Sequence, residues 1–396
     1  MLADRVRMSS YRRTKHLIDR TTPVTVVNQP YSTGGNGGRK LVRLSNGWLV
    51  ACMFNSTDTS IYLYVSKDSG ATWSLLTSRS VGTSGKAYSM VSAGTTVYVI
   101  WRQSNKFIIS GYIDVVRGSS LIGIQVSDTD MAGTAHDTCS LAINTQKAEL
   151  HACWSSKIET YPNSFNIRYC KGIINPDGSV TWGSVEQVTE YSYTWLDIMQ
   201  PTIIVKDNSP VIIVKSIGIA KGIAGDYIRG ILCYSKAGST WDHTNIYYTG
   251  ERGLEQSNPT ACVDTDGVIH VAWHGTDAQY PTYNRVRYSK STDGGMTWNT
   301  HQIVNTLLAV YPSISVDTSG NISIVYITQG NNMYYMQFRD TIKTPTQLST
   351  NFLYGDPSSL QDLSIDVEGF PPTAYMLYNK SPITQLSVQF EGKWYE

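Results

Sequence analysis

Apolar and polar positions alternate with a period of two along most of the chain, in short runs. Arg285-Val286-Arg287-Tyr288 and His301-Gln302-Ile303-Val304 are examples. Between them stands Ser291-Thr292-Asp293-Gly294-Gly295-Met296-Thr297-Trp298, a cluster of turn formers closed by an aromatic residue. Alternation interrupted by Gly, Asp and Ser predicts β-strands joined by tight turns. In such a turn Asp and Ser oxygens bond nearby backbone groups and Gly accepts a left-handed backbone. The Trp packs the hairpin onto its neighbour.

One larger unit repeats with a period of about fifty residues. It reads as a polar or aromatic residue, a short apolar strand, a turn and a second apolar strand. The copies are Arg39–Phe54, Tyr88–Trp101, Thr138–Trp154, Pro201–Ser216, Pro259–Trp273, Pro312–Ile327 and Leu363–Tyr378. A third strand, the Asp-centred turn or its replacement, and a fourth strand follow. Inner strands that are apolar on both faces need sheets stacked on sheets, and such units cannot bury themselves singly. The predicted fold is all-β: a single closed β-propeller of four-stranded antiparallel blades, about seven, with six the alternative. The last unit shows three strands, Leu363–Val367, Thr373–Tyr378 and Gln385–Phe390, and Val24–Asn28 is expected to supply its fourth.

Residues 1–20 break the pattern. Arg5, Arg7, Arg12, Arg13, Lys15, His16 and Arg20 make them basic, and they show no strand alternation. They are expected to form a basic N-terminal arm, either a loosely packed tail or a docking segment for a partner or scaffold, with the propeller over 21–396.

Composition narrows the function classes. The 396 residues carry a net charge of +1, with 16% charged and 41% hydrophobic residues. A near-neutral chain lacks the basic stripe that a nucleic-acid partner needs. No apolar run is long enough to span a bilayer, and no apolar leader pattern opens the chain. With 26 Tyr and 10 Trp, aromatic residues exceed what a sheet core needs and suit flat sugar faces. The six cysteines sit mostly inside alternating runs with no CxxC pair, so buried free thiols are expected and neither a metal site nor a cofactor is.

The Ser-x-Asp-x-Gly-x-Thr-Trp pattern resembles the Asp-box of sialidase-type β-propellers. Ser66-Lys67-Asp68-Ser69-Gly70-Ala71-Thr72-Trp73 is a second copy, and Asn175 to Trp182 a decayed one that keeps Asp177, Thr181 and Trp182. Ser235 to Trp241 is shortened and has no Asp. In the resembled family this turn is architectural and lies away from the ligand.

Antiparallel order puts the Asp-box turns on one face of the ring. The other face gathers the residues just before each first strand and the loops between strands two and three. The candidate ligand-binding set there is Arg39, Lys86, Tyr88, Trp101, His136, Asp137, Gln200, Asn258, His274 and Tyr311. Arg102, Trp154, Asp277, Gln361 and Asp362 are its neighbours. Donors, acceptors and aromatic faces around one funnel suit a polar ligand such as a sugar.

The resemblance also implies an active-site pattern: a Tyr nucleophile paired with a Glu, an Asp acid/base and three Arg on a carboxylate. With the turn glycines as rulers, Tyr311 before Gly320 falls at the Tyr position. Asn258 before Gly267 falls at the Glu position, His274 stands where an Arg would follow, and Arg39 is displaced by one pleat. Glu255 and Arg285 lie near enough in sequence to compensate. The expected function is a non-catalytic propeller binding a glycan, cell-wall glycopolymer or cell-surface receptor, as a viral (phage) adsorption or tail component docked through residues 1–20. The alternatives are an exo-glycosidase of sialidase type, with Tyr311 catalytic in a rearranged site, and an intracellular protein-interaction propeller.

Overall fold

The computed structural model describes residues 24–28, 31–33, 39–82, 87–103, 107–118, 121–127, 138–194, 196–219, 227–249, 254–304, 308–317, 320–328, 332–339, 341–342, 345–349, 358–359, 373–380 and 387–394. They are all-β, in successive antiparallel sheets. Sheet I holds Leu41–Arg43, Leu49–Asn55, Ser60–Ser66 and Ser74–Ser80. Sheet II holds Tyr88–Ala93, Thr96–Gln103, Phe107–Asp114 and Ile122–Ser127. Sheet III holds Cys139–Asn144, Glu149–Ile158, Tyr161–Ile174 and Val180–Trp182, with Glu186–Gln187 as an added fifth strand on the third. Sheet IV holds Asp197–Lys206, Ser209–Ile219, Tyr227–Ala237 and Thr240–Thr249. Sheet V holds Gln256–Val263, Ile269–Gly275, Arg285–Ser291 and Gln302–Ile303. Sheet VI holds Ala309–Val316, Ile322–Thr328, Asn332–Phe338 and Thr346–Ser349. Sheet VII holds Ser358–Ser359, Thr373–Lys380 and Ser387–Trp394, and Val24–Val27 pairs on its outer edge.

The first strands of successive sheets pack on one another from Leu41–Arg43 round to Ser358–Ser359, which makes the array a propeller ring. Among the described residues there are six four-stranded sheets and the five-stranded sheet III. The N-terminal strand closes the ring as expected: Val24 pairs with Phe390 and Thr25 with Gln389. The innermost strand of sheet VII is Ser358–Ser359, paired with Leu377 and Met376. The stretch expected to play that part, Leu363–Val367, lies outside the described residues, as does the arm 1–20.

Burial follows the radial plan. The second strands Leu49–Asn55, Ile269–Gly275 and Ile322–Thr328 are buried throughout, whereas the outer strands Ser74–Ser80 and Thr240–Thr249 are largely exposed. Separate apolar clusters fill the gaps between neighbouring sheets: Val50, Met90 and Trp101 between I and II, Ile203, Ile212 and Tyr169 between III and IV, Ile213, Val271 and Trp273 between IV and V. All six cysteines are free and buried among these clusters.

The Asp-boxes are closed local networks. Asp293 accepts from Ser291 Oγ (2.8 Å), Thr297 N (2.9 Å) and Thr297 Oγ1 (2.5 Å), and Ser291 Oγ accepts from Gly295 N (2.8 Å). Asp68 repeats this with Ser66, Thr72 and Gly70. Gly295 has φ +94°, and a Cβ there would stand 2.8 Å from Cys233 Sγ of sheet IV, so both the turn and its seat on the neighbouring sheet require glycine.

Candidate functional site

The innermost strands of sheets IV, V and VI share one irregularity. Pairing slips between Met199 and Thr202, between Ser257 and Thr260, and between Val310 and Ser313. Each slip holds an X-Pro pair: Gln200-Pro201, Asn258-Pro259 and Tyr311-Pro312. Proline has no N–H for the ladder and belongs at a bulge. The residue before each proline is left-handed, with φ 52° at Gln200, 53° at Asn258 and 53° at Tyr311. L-residues pay about 1 kcal/mol or more for that conformation, and the residue before proline disfavours helical backbone further. A bulge turns its side chain away from the regular pleat, here at three successive blades.

Side chains of the preceding blade hold two of these bulges. Asn258 N donates to Gln200 Oε1 (2.8 Å), and Tyr311 N donates to His274 Nδ1 (3.1 Å). His274 Nδ1 is therefore the acceptor, which leaves its ring proton on Nε2. Tyr311 is 40% exposed and its ring meets His274 edge-on, with centroids 5.4 Å apart. Burial, aided by the nearby Lys215 charge, lowers the His274 pKa to about 3, so the ring is neutral at physiological pH.

Charged groups flank the pair. Lys215 Nζ donates to Ser257 Oγ (2.6 Å); burial lowers its pKa, Glu255 opposes the change and Arg229 adds to it. Glu255 is engaged by Arg229 NH1 at 2.8 Å. Beneath, Gln256 is locked between Trp273 Nε1, which donates to its Oε1 (2.8 Å), and the carbonyl of Thr276, which accepts from its Nε2 (2.6 Å). Asp277 holds the fully buried Arg287 at 2.6 Å, and Arg287 also contacts His301 at 2.9 Å. Asp277 hydrogen bonds with Arg287 and Tyr280 N lower its carboxyl pKa against the opposing effect of burial.

Gln200, Asn258, His274 and Tyr311 thus come together, and Lys215, Ser257 and Arg229 join them. Sequence reasoning passed over Lys215, although its place as the cation ending the apolar run Val211 to Val214 marks it. It also passed over the left-handed bulges, whose signal was the X-Pro pair opening three successive units. Arg39 is half-buried; its N–H donates to Ser89 Oγ (3.2 Å). Burial raises the Cys262 thiol pKa and the Arg39 charge opposes that rise. Two expected ligand residues are corrected. Trp101 is 0% exposed within the core between sheets I and II, packed so closely that Cβ atoms at Gly111 or Gly123 would meet its ring. Tyr88 is buried, its hydroxyl donating to Ser32 O (2.8 Å) with Lys40 over its ring. Tyr88 opens its strand and Trp101 pairs with it in the next, and a strand stacked on both faces hides its aromatic residues. Lys86, His136, Asp137, Gln361 and Asp362 lie outside the described residues. Among the described residues no group of three His, Cys, Asp or Glu side chains could hold a metal ion.

No family model and no curated protein matches the sequence. Solved structures do match in shape. An α-L-arabinanase of Penicillium chrysogenum, complexed with arabinobiose, superposes with TM-score 0.53 over 93% of this chain and 98% of its own, at 13% identity. Polysaccharide lyase Uly1 gives TM-score 0.58 over 94% and 99%, at 10% identity. Trypanosoma rangeli sialidase, bound to the inhibitor DANA, gives 0.50 over 94% of this chain and 59% of its own, at 12% identity. The fold is that of a sialidase-type β-propeller. At these identities the likeness concerns the fold alone, and the chemistry of this propeller has to be read from its own side chains.

Proposed function

We propose that the funnel around Tyr311 binds a glycan and does not cleave it. The observation that carries this reading is the exposed Tyr311 ring, held left-handed by its bulge against a neutral His274, with the Lys215 charge acting on that histidine. An aromatic face next to converging hydrogen-bonding groups suits a sugar ring. Solved propellers of this shape include one complexed with arabinobiose, which supports a saccharide ligand. Absence of turnover is supported by the carboxylates: Asn258 occupies the position of the activating Glu, Glu255 is tied to Arg229 and Asp277 to Arg287. A phenol with an ordinary pKa near 10 is a poor nucleophile at neutral pH without a base. The setting we assign is a viral adsorption or tail component, with residues 1–20 as its docking arm; the basic character of that stretch supports it.

The test is a glycan and cell-wall glycopolymer array probed with the full chain, followed by titration of the best ligand. Tyr311→Ala should weaken binding at least about tenfold, equivalent to about 1.4 kcal/mol, and Arg39→Ala should also weaken it. Sialosides and arabinan should not be turned over. Turnover that Tyr311→Phe abolishes would establish the glycosidase reading in its place. Binding indifferent to both alanine variants would move the ligand off the funnel.

A further inference from the structure

A second site lies away from the funnel, where sheets III and IV meet. The turn after the third strand of sheet IV is the shortened copy of the Asp-box, Ser235 to Trp241, and it closes as a tight hairpin with Ala237 paired to Thr240. In the intact boxes the tryptophan N–H donates within its own turn, Trp73 to Gly70 O and Trp298 to Gly295 O, the latter also reaching Thr244 Oγ1 of sheet IV (3.2 Å). Without that turn, Trp241 Nε1 donates instead to Glu186 Oε2 (3.2 Å) on the added strand of sheet III. Lys236 Nζ fixes the same carboxylate at 2.6 Å to both oxygens, and the Tyr169 ring meets Trp241 edge-on. Beside Trp241 opens a cleft of about 520 Å³.

Its walls are built before any ligand arrives. Asn166 holds one wall rigid: its Oδ1 accepts from Tyr191 N (2.8 Å) and Thr189 Oγ1 (2.9 Å), and its Nδ2 donates to Tyr191 O (2.8 Å). The other wall is His243, stacked on Tyr234 with centroids 5.5 Å apart. Tyr234 is a wall residue only 3% exposed; its hydroxyl is buried beside Tyr191, the polar side chain that acts on it.

We propose that this cleft is a second saccharide site, specific for a neutral sugar unit. Trp241, Tyr191 and His243 offer ring faces, and Ser239 and Thr240 line the cleft beside them with hydroxyl groups. The charge balance selects the class. Lys236 is neutralised by Glu186, and among the described residues lining the cleft Glu190 is the one carboxylate and no Lys or Arg is present to hold an acidic sugar. This site is independent of the funnel, which carries Lys215 and Arg229.

The full chain is titrated by proton NMR with arabinobiose, cellobiose and chitobiose, with glucuronic acid as the acidic control. The readout is the His243 ring Hε1 resonance, assigned by its loss in His243→Ala. At about 10 mM, where a ligand of millimolar affinity saturates, at least one neutral disaccharide should shift this resonance and glucuronic acid should not. Ser239→Trp fills the rim from an exposed position and should weaken the effect at least tenfold with an unchanged melting temperature. Tyr311→Ala, in the funnel, should leave it intact. The proposal is overturned if no neutral disaccharide moves the resonance, if glucuronic acid moves it equally, or if Tyr311→Ala rather than Ser239→Trp abolishes the shift. The last result would place saccharide binding in the funnel alone.

Discussion

Acid should weaken this propeller through His274. The ring is buried and neutral, with a pKa lowered from 6.5 to about 3 by burial and by Lys215. In the unfolded chain the same ring protonates near 6.5. The unfolded state therefore binds the extra proton between the two values, and stability rises with pH across that window. The contribution is complete above 6.5 and is lost progressively as the pH falls towards 3. At pH 5 the loss amounts to about 2 kcal/mol, and at pH 6 to a little under 1 kcal/mol. Both figures hold for any folded pKa well below 5. His274→Asn removes the titration and keeps an acceptor where Nδ1 takes the Tyr311 N–H. At pH 7.5 the variant should be less stable than the parent, because it leaves space in a packed site. The gap should shrink by about 2 kcal/mol at pH 5. Urea unfolding of both proteins at pH 7.5, 6 and 5, followed by tryptophan fluorescence, measures it. His151, lowered to about 4, and His270, lowered in the same direction, remain in both proteins and drop out of the comparison. A gap that stays constant across this range would show that His274 does not fold as a buried neutral ring.

The remaining predictions concern other links between structure and behaviour. Asp293→Ala should lower the melting temperature while glycan affinity, measured well below it, stays unchanged, because every bond of Asp293 closes its own turn. Lost binding with an intact melting temperature would make the box a site. Tyr311→Gly should be more stable than Tyr311→Ala by about 1 kcal/mol in urea titrations, since glycine accepts φ near +53° without strain; equal stabilities would deny the strain. Deleting residues 1–20 should leave a cooperative thermal transition, whereas a deletion running through Val27 should lower it sharply by removing the strand paired to Ser387–Trp394.

The blades and the closing strand were legible because their determinants are short-range or strongly periodic. The second strand of sheet V, Ile269 to Gly275, shows its burial in an apolar run. The candidate site was legible only by position. Antiparallel order put Gln200, Asn258, His274 and Tyr311 at one end of the ring, but the same reasoning placed Trp101 and Tyr88 there. A tryptophan near the end of a strand can face either a funnel or the neighbouring sheet, and nothing within its own blade decides which. Trp101 is buried because Met90, Val99 and the strands of sheet I close over it. The left-handed backbone before each proline was likewise illegible, since a residue in that place ordinarily extends.

The chain by itself determined the turns. In the box of Asp293 no hydrogen bond of the Asp spans more than four residues, so the sequence of that stretch contains the whole interaction. It also determined the repeat, since each two-residue alternation states which face must be covered. Ring closure decided the site. Tyr311 N reaches His274 across 37 residues of chain and Asn258 N reaches Gln200 across 58, each contact passing from one sheet to the next. Partners so far apart in sequence meet only when neighbouring blades are stacked in their final register, and a one-residue slip would send each side chain to the opposite face.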